Sequence, residues 1–327
     1  MEDKIHNPHD SFFKEVLSKK ESAIDFFNNY LPPELSNLID IKTLQIKKDS
    51  FIDKELKQFY SDILYQVKVK GKSAYLYLLF EHQSSVDRFI TLRLLEYRAK
   101  IWRLEIKQQS ELKLLSPIIP LVLYHGTRKW NVGGRFSDII SLGDRKELRL
   151  YLPDFSYILY DLSVYKDEEI KGNIINRICL HLFKHIFDND FLLHLERIFP
   201  LLKNLLEGDK TALEYLETVL RYIMSTREDA SREVLKKIME KTISRETGGV
   251  VMTVAEQLIE EGREEGREEG IEKGREEGEL IGSIRAIQLM KGLFISGKKE
   301  LENLSIEELG KKLEELTGNQ GIERLRN

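Results

Sequence analysis

Residues 60 to 85 constrain this chain more than any other stretch. Tyr-Ser-Asp-Ile-Leu-Tyr-Gln-Val-Lys-Val (60–69) and Ala-Tyr-Leu-Tyr-Leu-Leu-Phe (74–80) are both rich in Val, Ile, Leu, Tyr and Phe, and Lys-Gly-Lys-Ser (70–73) lies between them. Apolar, aromatic runs on either side of a Gly-containing turn predict an antiparallel hairpin. Asp62 stands near the start of the first strand and Glu81 at the end of the second, at similar distances from the turn. Antiparallel pairing therefore brings the two acids close together. A carboxylate pair on adjacent strands offers the oxygen ligands that suit a hard divalent cation such as Mg²⁺. Gln83 lies two residues beyond Glu81, and strand alternation puts both side chains on one face.

Around the hairpin the pattern is α/β. Asp10 to Lys19 predicts a helix with Phe13, Val16 and Leu17 on its apolar face and Asp10 as cap or first-turn acid. Asp10 and Lys14 are i,i+4 neighbours and could form a surface pair. A second helix is expected from Glu21 to Tyr30, ended by Pro32-Pro33, and Leu44 to Lys48 is a candidate first strand. After the hairpin, Ser84 or Ser85 is a candidate N-cap for a helix over Val86 to Gln109. Leu92, Leu95, Ala99, Trp102 and Ile106 follow 3,4 spacing and predict its buried face. Arg93, Lys100, Arg103 and Lys107 form a basic stripe one residue on, which could track a DNA backbone or simply be solvated. Pro117 to Tyr124 and Phe155 to Leu162 predict two more strands, so the sheet is mixed. His125, which ends the first of these, could touch substrate or be a turn residue.

From Val164 onward the patterns are helical: Lys166 to Phe187, Asp190 to Leu206, Asp209 to Ser225 and Ala230 to Ile243. His181 and His185 are i,i+4, with His194 beyond them. A zinc protease motif needs Glu after the first His, and Leu182 stands there. No carboxylate is well placed as a third ligand, so these histidines read as structural.

A single cysteine, Cys179, excludes an internal disulfide framework and points to a reducing compartment. No apolar run reaches the length of a membrane span, and no signal peptide is recognisable, so a cytoplasmic protein without membrane attachment is expected. The net charge of −4 hides an asymmetry. Glu256 to Glu279 holds 11 Glu against 4 Lys or Arg, a local −7, which leaves the rest at +3. A mildly basic body suits a nucleic-acid partner, although +3 over so long a chain is also ordinary. P-loop, dinucleotide-binding and nucleophile-elbow motifs are absent from the sequence, which leaves hydrolysis by metal-activated water as the enzymatic reading.

Asp62, then Glu81-x-Gln83 across a hairpin resembles the PD-(D/E)XK nuclease core, with Gln83 where that core usually carries Lys. His9-Asp10-Ser11-Phe12-Phe13-Lys14, Phe80-Glu81-His82-Gln83-Ser84, Pro120-Leu121-Val122-Leu123-Tyr124-His125-Gly126 and a Gly-Arg-Glu-Glu repeat follow in order. Together they resemble the Rpn family of recombination-promoting nucleases, often labelled transposases, along nearly the whole chain. The resemblance implies a PD-(D/E)XK-like domain over residues 1–165, a helical region over 166–247 and a C-terminal segment over 248–327. It also implies Mg²⁺- or Mn²⁺-dependent DNA cleavage in recombination, mobile elements or defence, with Asp62 and Glu81 as metal ligands. Asp10 and Lys14 would lie beside the metal site, facing the phosphate. The alternative is a catalytically inactive DNA-binding or assembly protein.

Six glycines, Gly262 to Gly282, recur every four residues in the tail. Strong helix formers between them predict a helix that could carry homo-oligomerisation through residues 252–295, with Ile281, Ile284, Ile287 and Leu289 as apolar anchors. The alternative is a solvated linker. Gly248-Gly249 before Met252 reads as a helix break. It also permits a ribosome-binding codon string, so an internally initiated fragment from Met252 to Asn327 is a further expectation. Ser305 and Glu308 predict a capping box for a last helix.

Overall fold

The computed structural model describes residues 7–47, 62–81, 87–109, 111–141, 145–206 and 211–317. Its α/β core is a five-stranded mixed sheet in the order β1 (Ile39–Lys47), β2 (Asp62–Val69), β3 (Lys72–Glu81), β4 (Ile118–Tyr124) and β5 (Ile158–Asp161). β1, β2 and β3 pair antiparallel, whereas β4 and β5 run parallel to β3. The hairpin turn is tighter than the four residues expected. Only Lys70 and Gly71 lie between the strands, at φ 49° and 81°. Positive φ at both central residues gives the twist that a two-residue hairpin loop requires, and Gly71 takes the larger angle without a Cβ.

Helices cover both faces of the sheet. On one, α1 (Pro8–Leu17) stacks Phe13 on Phe80 with centroids 4.4 Å apart, and Phe27 of α2 (Lys20–Tyr30) meets Tyr65 edge-on. A short turn, α3 (Pro33–Ser36), leads into β1. α1 begins earlier than predicted because Asn7, not Asp10, is the cap: its side chain accepts from the His9 amide at 3.1 Å. The other face is covered by α4 (Ile90–Gln108), whose Ile90, Leu94, Tyr97 and Ile101 pack with Leu64, Tyr77, Leu79 and Val122.

The predicted buried face of α4 is therefore offset from the observed one: Leu95 and Trp102 are only half-buried. Leu92 and Ile106 are 41% and 52% exposed, and Ala99 is exposed too. Apolar residues occupy two neighbouring stripes on this helix, and periodicity alone cannot choose between them. A buried polar group on the observed stripe decides it: Glu105 accepts from the Ser116 amide, while Trp102 of the predicted stripe stays half-buried and donates its Nε1 to the Ser116 carbonyl.

Helices α5 (Ile174–His185), α6 (Phe191–Leu206), α7 (Thr211–Thr226) and α8 (Arg232–Thr242) complete this unit. α5 starts later than expected. Gly172 takes φ +116°, a one-turn 3₁₀ segment occupies Asp167–Glu169, and Asn173 caps α5 by accepting from the Asn176 amide. α5 packs on α1 and α2, so no compact-unit boundary falls at residue 165; the two compact units are Met1–Ala255 and Glu256–Asn327.

α9 (Arg245–Met290) runs through Gly248-Gly249 and Met252 without interruption, so Gly-Gly is not a helix break. In the second unit Ile281 and Ile284 pack with Leu301 of α10 (Lys298–Leu301) and with Leu309 and Leu313 of α11 (Ile306–Thr317). Three of the four expected anchors, Ile281, Ile284 and Ile287, thus pack within the chain, and Leu289 is 66% exposed. Ser305 and Glu308 exchange the capping-box hydrogen bonds predicted for α11. Among the described residues no helix is long and apolar enough to cross a membrane.

A Cβ added at Gly266, Gly270, Gly274 or Gly278 meets nothing within 4 Å. Alanine at each should therefore stabilise the helix by about 0.8–1.0 kcal/mol. Thermal unfolding of the quadruple variant followed by circular dichroism should show a higher midpoint. A lower one, with weaker self-association in light scattering, would mean that a partner needs the glycine ridge.

Candidate functional site

β2 and β3 pair Asp62 opposite Leu79, with Tyr77 and Glu81 flanking Leu79 at two-residue spacing. Strand alternation then puts Asp62, Tyr77 and Glu81 on one face of the hairpin. Glu81 lies opposite Tyr124 of β4, which lies opposite Asp161 of β5, so the acids sit at the carboxyl edge of the parallel strands. Open α/β sheets place ligands at this edge.

Both acids are buried, Asp62 at 8% and Glu81 at 2% exposure. The Tyr77 hydroxyl donates to Asp62 Oδ2. Arg93 of α4 forms an ion pair with Glu81 and a second, at 3.3 Å, with Asp87. Burial pushes the Asp62 carboxyl up to about 6, against the opposing pull of the Tyr77 hydrogen bond and of Lys14 and Arg93 nearby. Tyr77 and the role of Arg93 escaped the sequence reading. Tyr77 was accessible in principle, since it shares the Glu81 face at a spacing of four.

Lys14 is exposed on α1 and close enough to Asp62 to act on it electrostatically; Asp10 is on the same helix, half-buried. Gln83, with Ser84 and Ser85, lies outside the described residues. Arg93 leaves the predicted basic stripe, because it is buried in the Glu81 pair, while Lys100, Arg103 and Lys107 are exposed on α4. His125 is no turn residue at the surface: it is 2% exposed and stacks on Phe80 at 4.8 Å.

The donor set can be tested against a divalent cation. Asp62 and Glu81 supply carboxylate oxygens on one face, and Asp62 is desolvated enough to raise its pKa. A desolvated carboxylate is relieved by nearby positive charge. Carboxylate oxygens are the donors that a Mg²⁺-class ion takes.

The raised pKa carries a stability consequence. The folded protein holds the Asp62 proton up to about pH 6, whereas the unfolded chain releases it near 3.9. Stability from this group is complete below pH 4, falls as pH rises through 4 to 6, and stays lower above that. The penalty is roughly 3 kcal/mol. Asp62→Asn should therefore be more stable than the parent at pH 8 in chelator, by up to about that amount, and no different at pH 4. Urea unfolding at the two pH values checks this; a variant less stable at pH 8 would contradict the desolvation argument.

The histidine reading needs correcting in one respect. Carboxylates are well placed: His185 Nε2 is 2.9 Å from Asp167 Oδ1, and its Nδ1 is 2.7 Å from Asp188 Oδ2. His194 Nε2 lies 3.5 Å from both Asp188 and Asp190. Asp167 arrives from the 3₁₀ turn before α5, off the helix that carries His181 and His185.

The family described as "Putative transposase, YhgA-like" matches residues 7–214. The recombination-promoting nuclease RpnA of Escherichia coli K12 is 31% identical over 255 residues, 77% of this chain and 83% of the relative. RpnD of E. coli O157:H7 is 28% identical over 257 residues, 77% and 94% of the two chains. The K12 protein named inactive recombination-promoting nuclease-like protein RpnE is 30% identical over 257 residues, 77% and 81%. No solved structure matches the chain.

Proposed function

The chain belongs to the YhgA-like transposase family, and from that premise we propose that it is a Mg²⁺- or Mn²⁺-dependent DNA endonuclease. The names of its relatives support a nuclease role linked to recombination. The observation that carries the finer reading is the buried acid pair, Asp62 and Glu81, on one hairpin face with Asp62 desolvated. These two residues would hold the ion. When bound, it would supply Lewis acidity toward a phosphodiester and lower the pKa of water.

The surrounding groups do the positioning. Tyr77 fixes the Asp62 rotamer by donating to Oδ2. Arg93 orients Glu81 and offsets its charge. Lys14, exposed next to Asp62, can take a phosphate oxygen, with Asp10 beside it on the same helix. Gln83 can orient water or a phosphate oxygen but adds no charge, so a low rate is expected. The test is supercoiled plasmid incubated with the purified chain, with Mg²⁺ and with chelator. Nicking only with the metal supports the reading, and none under either condition sinks it.

The second reading is a DNA-binding or assembly protein without activity, favoured by the inactive label of one relative and by Gln83. A gel shift in chelator tests whether such an inactive protein binds DNA at all. Lys100, Arg103 and Lys107 remain as the exposed basic row for phosphate contact. Replacing all three by Ala should weaken DNA binding and flatten the dependence of log K on log salt by up to about 2.7, at 0.9 per phosphate. An unchanged slope would return the row to solvent.

Self-association through residues 252–295 belongs to the same proposal, as does a fragment initiated at Met252. Such a fragment would begin four residues before Glu256, where the second compact unit starts, and would carry that unit's own apolar core.

A further inference from the structure

We propose that Asp167, His181 and His185 form a binding site for a borderline transition metal of the Zn²⁺ class, separate from the Asp62 and Glu81 pair. One ligand atom from each of the three lies within 4.8 Å of the others. A tetrahedral ion with bonds of 2.0–2.1 Å needs its ligands about 3.3 Å apart. The Asp167 to His185 Nε2 separation, 2.9 Å, is a hydrogen-bond distance that opens by about 0.4 Å when an ion takes the proton's place, and the larger closure falls to His181, a side chain with two rotatable bonds. The two histidines are i,i+4 on α5, the spacing at which a helix offers two imidazoles to one ion. Asp167 adds an anionic oxygen from the turn that precedes the helix.

His185 is oriented for this role. Its Nε2 faces Asp167, and its Nδ1 lies 2.7 Å from Asp188 Oδ2. A metal-ligating histidine commonly donates its other ring N–H to a carboxylate, which fixes the tautomer and makes the ligating nitrogen more basic. Asp188 stands where that arrangement needs it.

A second grouping, His185, Asp188 and His194, also brings three donors together. The ring geometry argues against it. His185 and His194 lie face to face, with centroids 3.7 Å apart and planes 13° from parallel. An imidazole lone pair lies in the ring plane, so two stacked rings cannot both point at one ion. The His181 and His185 rings are also nearly parallel, 9° apart, but their centroids are 6.3 Å apart, so they are not in face-to-face contact and His181 has room to turn its lone pair toward an ion. Two neutral imidazoles with one carboxylate suit Zn²⁺, Co²⁺ or Ni²⁺ rather than Mg²⁺, which takes oxygen. One positive group competes: Lys184 Nζ is 3.5 Å from Asp167 Oδ1 and must move off as the ion enters. Three protein ligands leave a fourth position for water. The ion would clasp the segment after β5 to α5.

The test uses the full-length protein, stripped by chelator and titrated with Zn²⁺ by calorimetry in excess Mg²⁺, so that the oxygen site is occupied. Co²⁺ replaces Zn²⁺ in a parallel titration read by visible absorption. One equivalent is expected, with a tetrahedral Co²⁺ spectrum. Asp167→Asn and His181→Asn should each weaken binding by about a hundredfold or more, and Asp188→Asn by about 10–100-fold. Far-UV circular dichroism of each variant confirms folding. Should His181→Asn fail to fold, Asp167→Asn, which keeps a hydrogen-bond acceptor toward His185, decides. Absence of a stoichiometric Zn²⁺ site in the folded parent would overturn the proposal. So would an affinity unchanged in Asp167→Asn.

Discussion

Asp62→Asn and Glu81→Gln should each reduce Mg²⁺-dependent nicking of supercoiled plasmid by about 10³-fold or more. A Lewis-acid metal supplies several kcal/mol of transition-state stabilisation, and each 1.36 kcal/mol is tenfold in rate. Losing either carboxylate from a two-acid set removes much of that. The isosteric amides matter here. From sequence, alanine looks harmless at both positions, because a metal carboxylate fills no core. The structure alters that expectation for Glu81, which is buried against Arg93. Glu81→Ala would leave a guanidinium in a low-dielectric site without this partner and would confuse lost activity with lost fold. Asn at 62 can still accept from Tyr77, and Gln at 81 can still accept from Arg93. Linearised and nicked plasmid on an agarose gel is the readout. Parent-level nicking by either amide variant would remove that residue from the metal site.

The hairpin was legible because two signals agreed. Apolar, aromatic runs defined the strands, and Gly71 defined the turn. The turn is two residues shorter than expected, which shifts the register by two and sets Asp62 opposite Leu79; because the shift is even, Asp62 and Glu81 stay on one face. The parallel strands β4 and β5 were legible as apolar runs because both faces of the sheet are covered. Where the reading failed, a long-range partner had decided the outcome. On α4 the pattern offered two apolar stripes, and the choice between them rests on Tyr77, Ser116 and Glu81, none of which is on the helix. The same contacts turned Arg93 inward, away from the row that Lys100, Arg103 and Lys107 continue.

The histidines show the other kind of failure. A metal motif read along one helix requires its third ligand nearby in sequence, and Leu182 excluded the expected one. Asp167 lies 14 residues before His181, beyond a glycine at positive φ and a new N-cap at Asn173. Such geometry is set by the turn, which periodicity does not report. In the tail the opposite occurred. Ile281 and Ile284 looked like free anchors because their partners, Leu301, Leu309 and Leu313, come later in the chain.

Arg93→Met should destabilise the protein by about 3–5 kcal/mol, the cost of breaking a buried ion pair from one side. The Arg93 side chain is 10% exposed and that of Glu81 3%, so water screens the pair little. At roughly 2–4 °C per kcal/mol for a unit of this size, the midpoint falls by about 6–20 °C. Two further measurements separate electrostatics from packing, since methionine keeps much of the apolar stem. Glu81→Gln in the Arg93→Met background should recover most of the loss, because it removes the charge that the guanidinium had offset. Adding Mg²⁺ should raise the midpoint of Arg93→Met more than that of the parent. In the parent, Arg93 would compete with a divalent cation for the Glu81 carboxylate; in the variant that competitor is gone. Binding of the native state alone stabilises by mass action, so a larger shift at equal Mg²⁺ means tighter binding. In the double variant the Mg²⁺ shift should shrink again, since Glu81 no longer carries charge. A Mg²⁺ response identical in the parent, Arg93→Met and the double variant would show that the ion does not meet Glu81 at all.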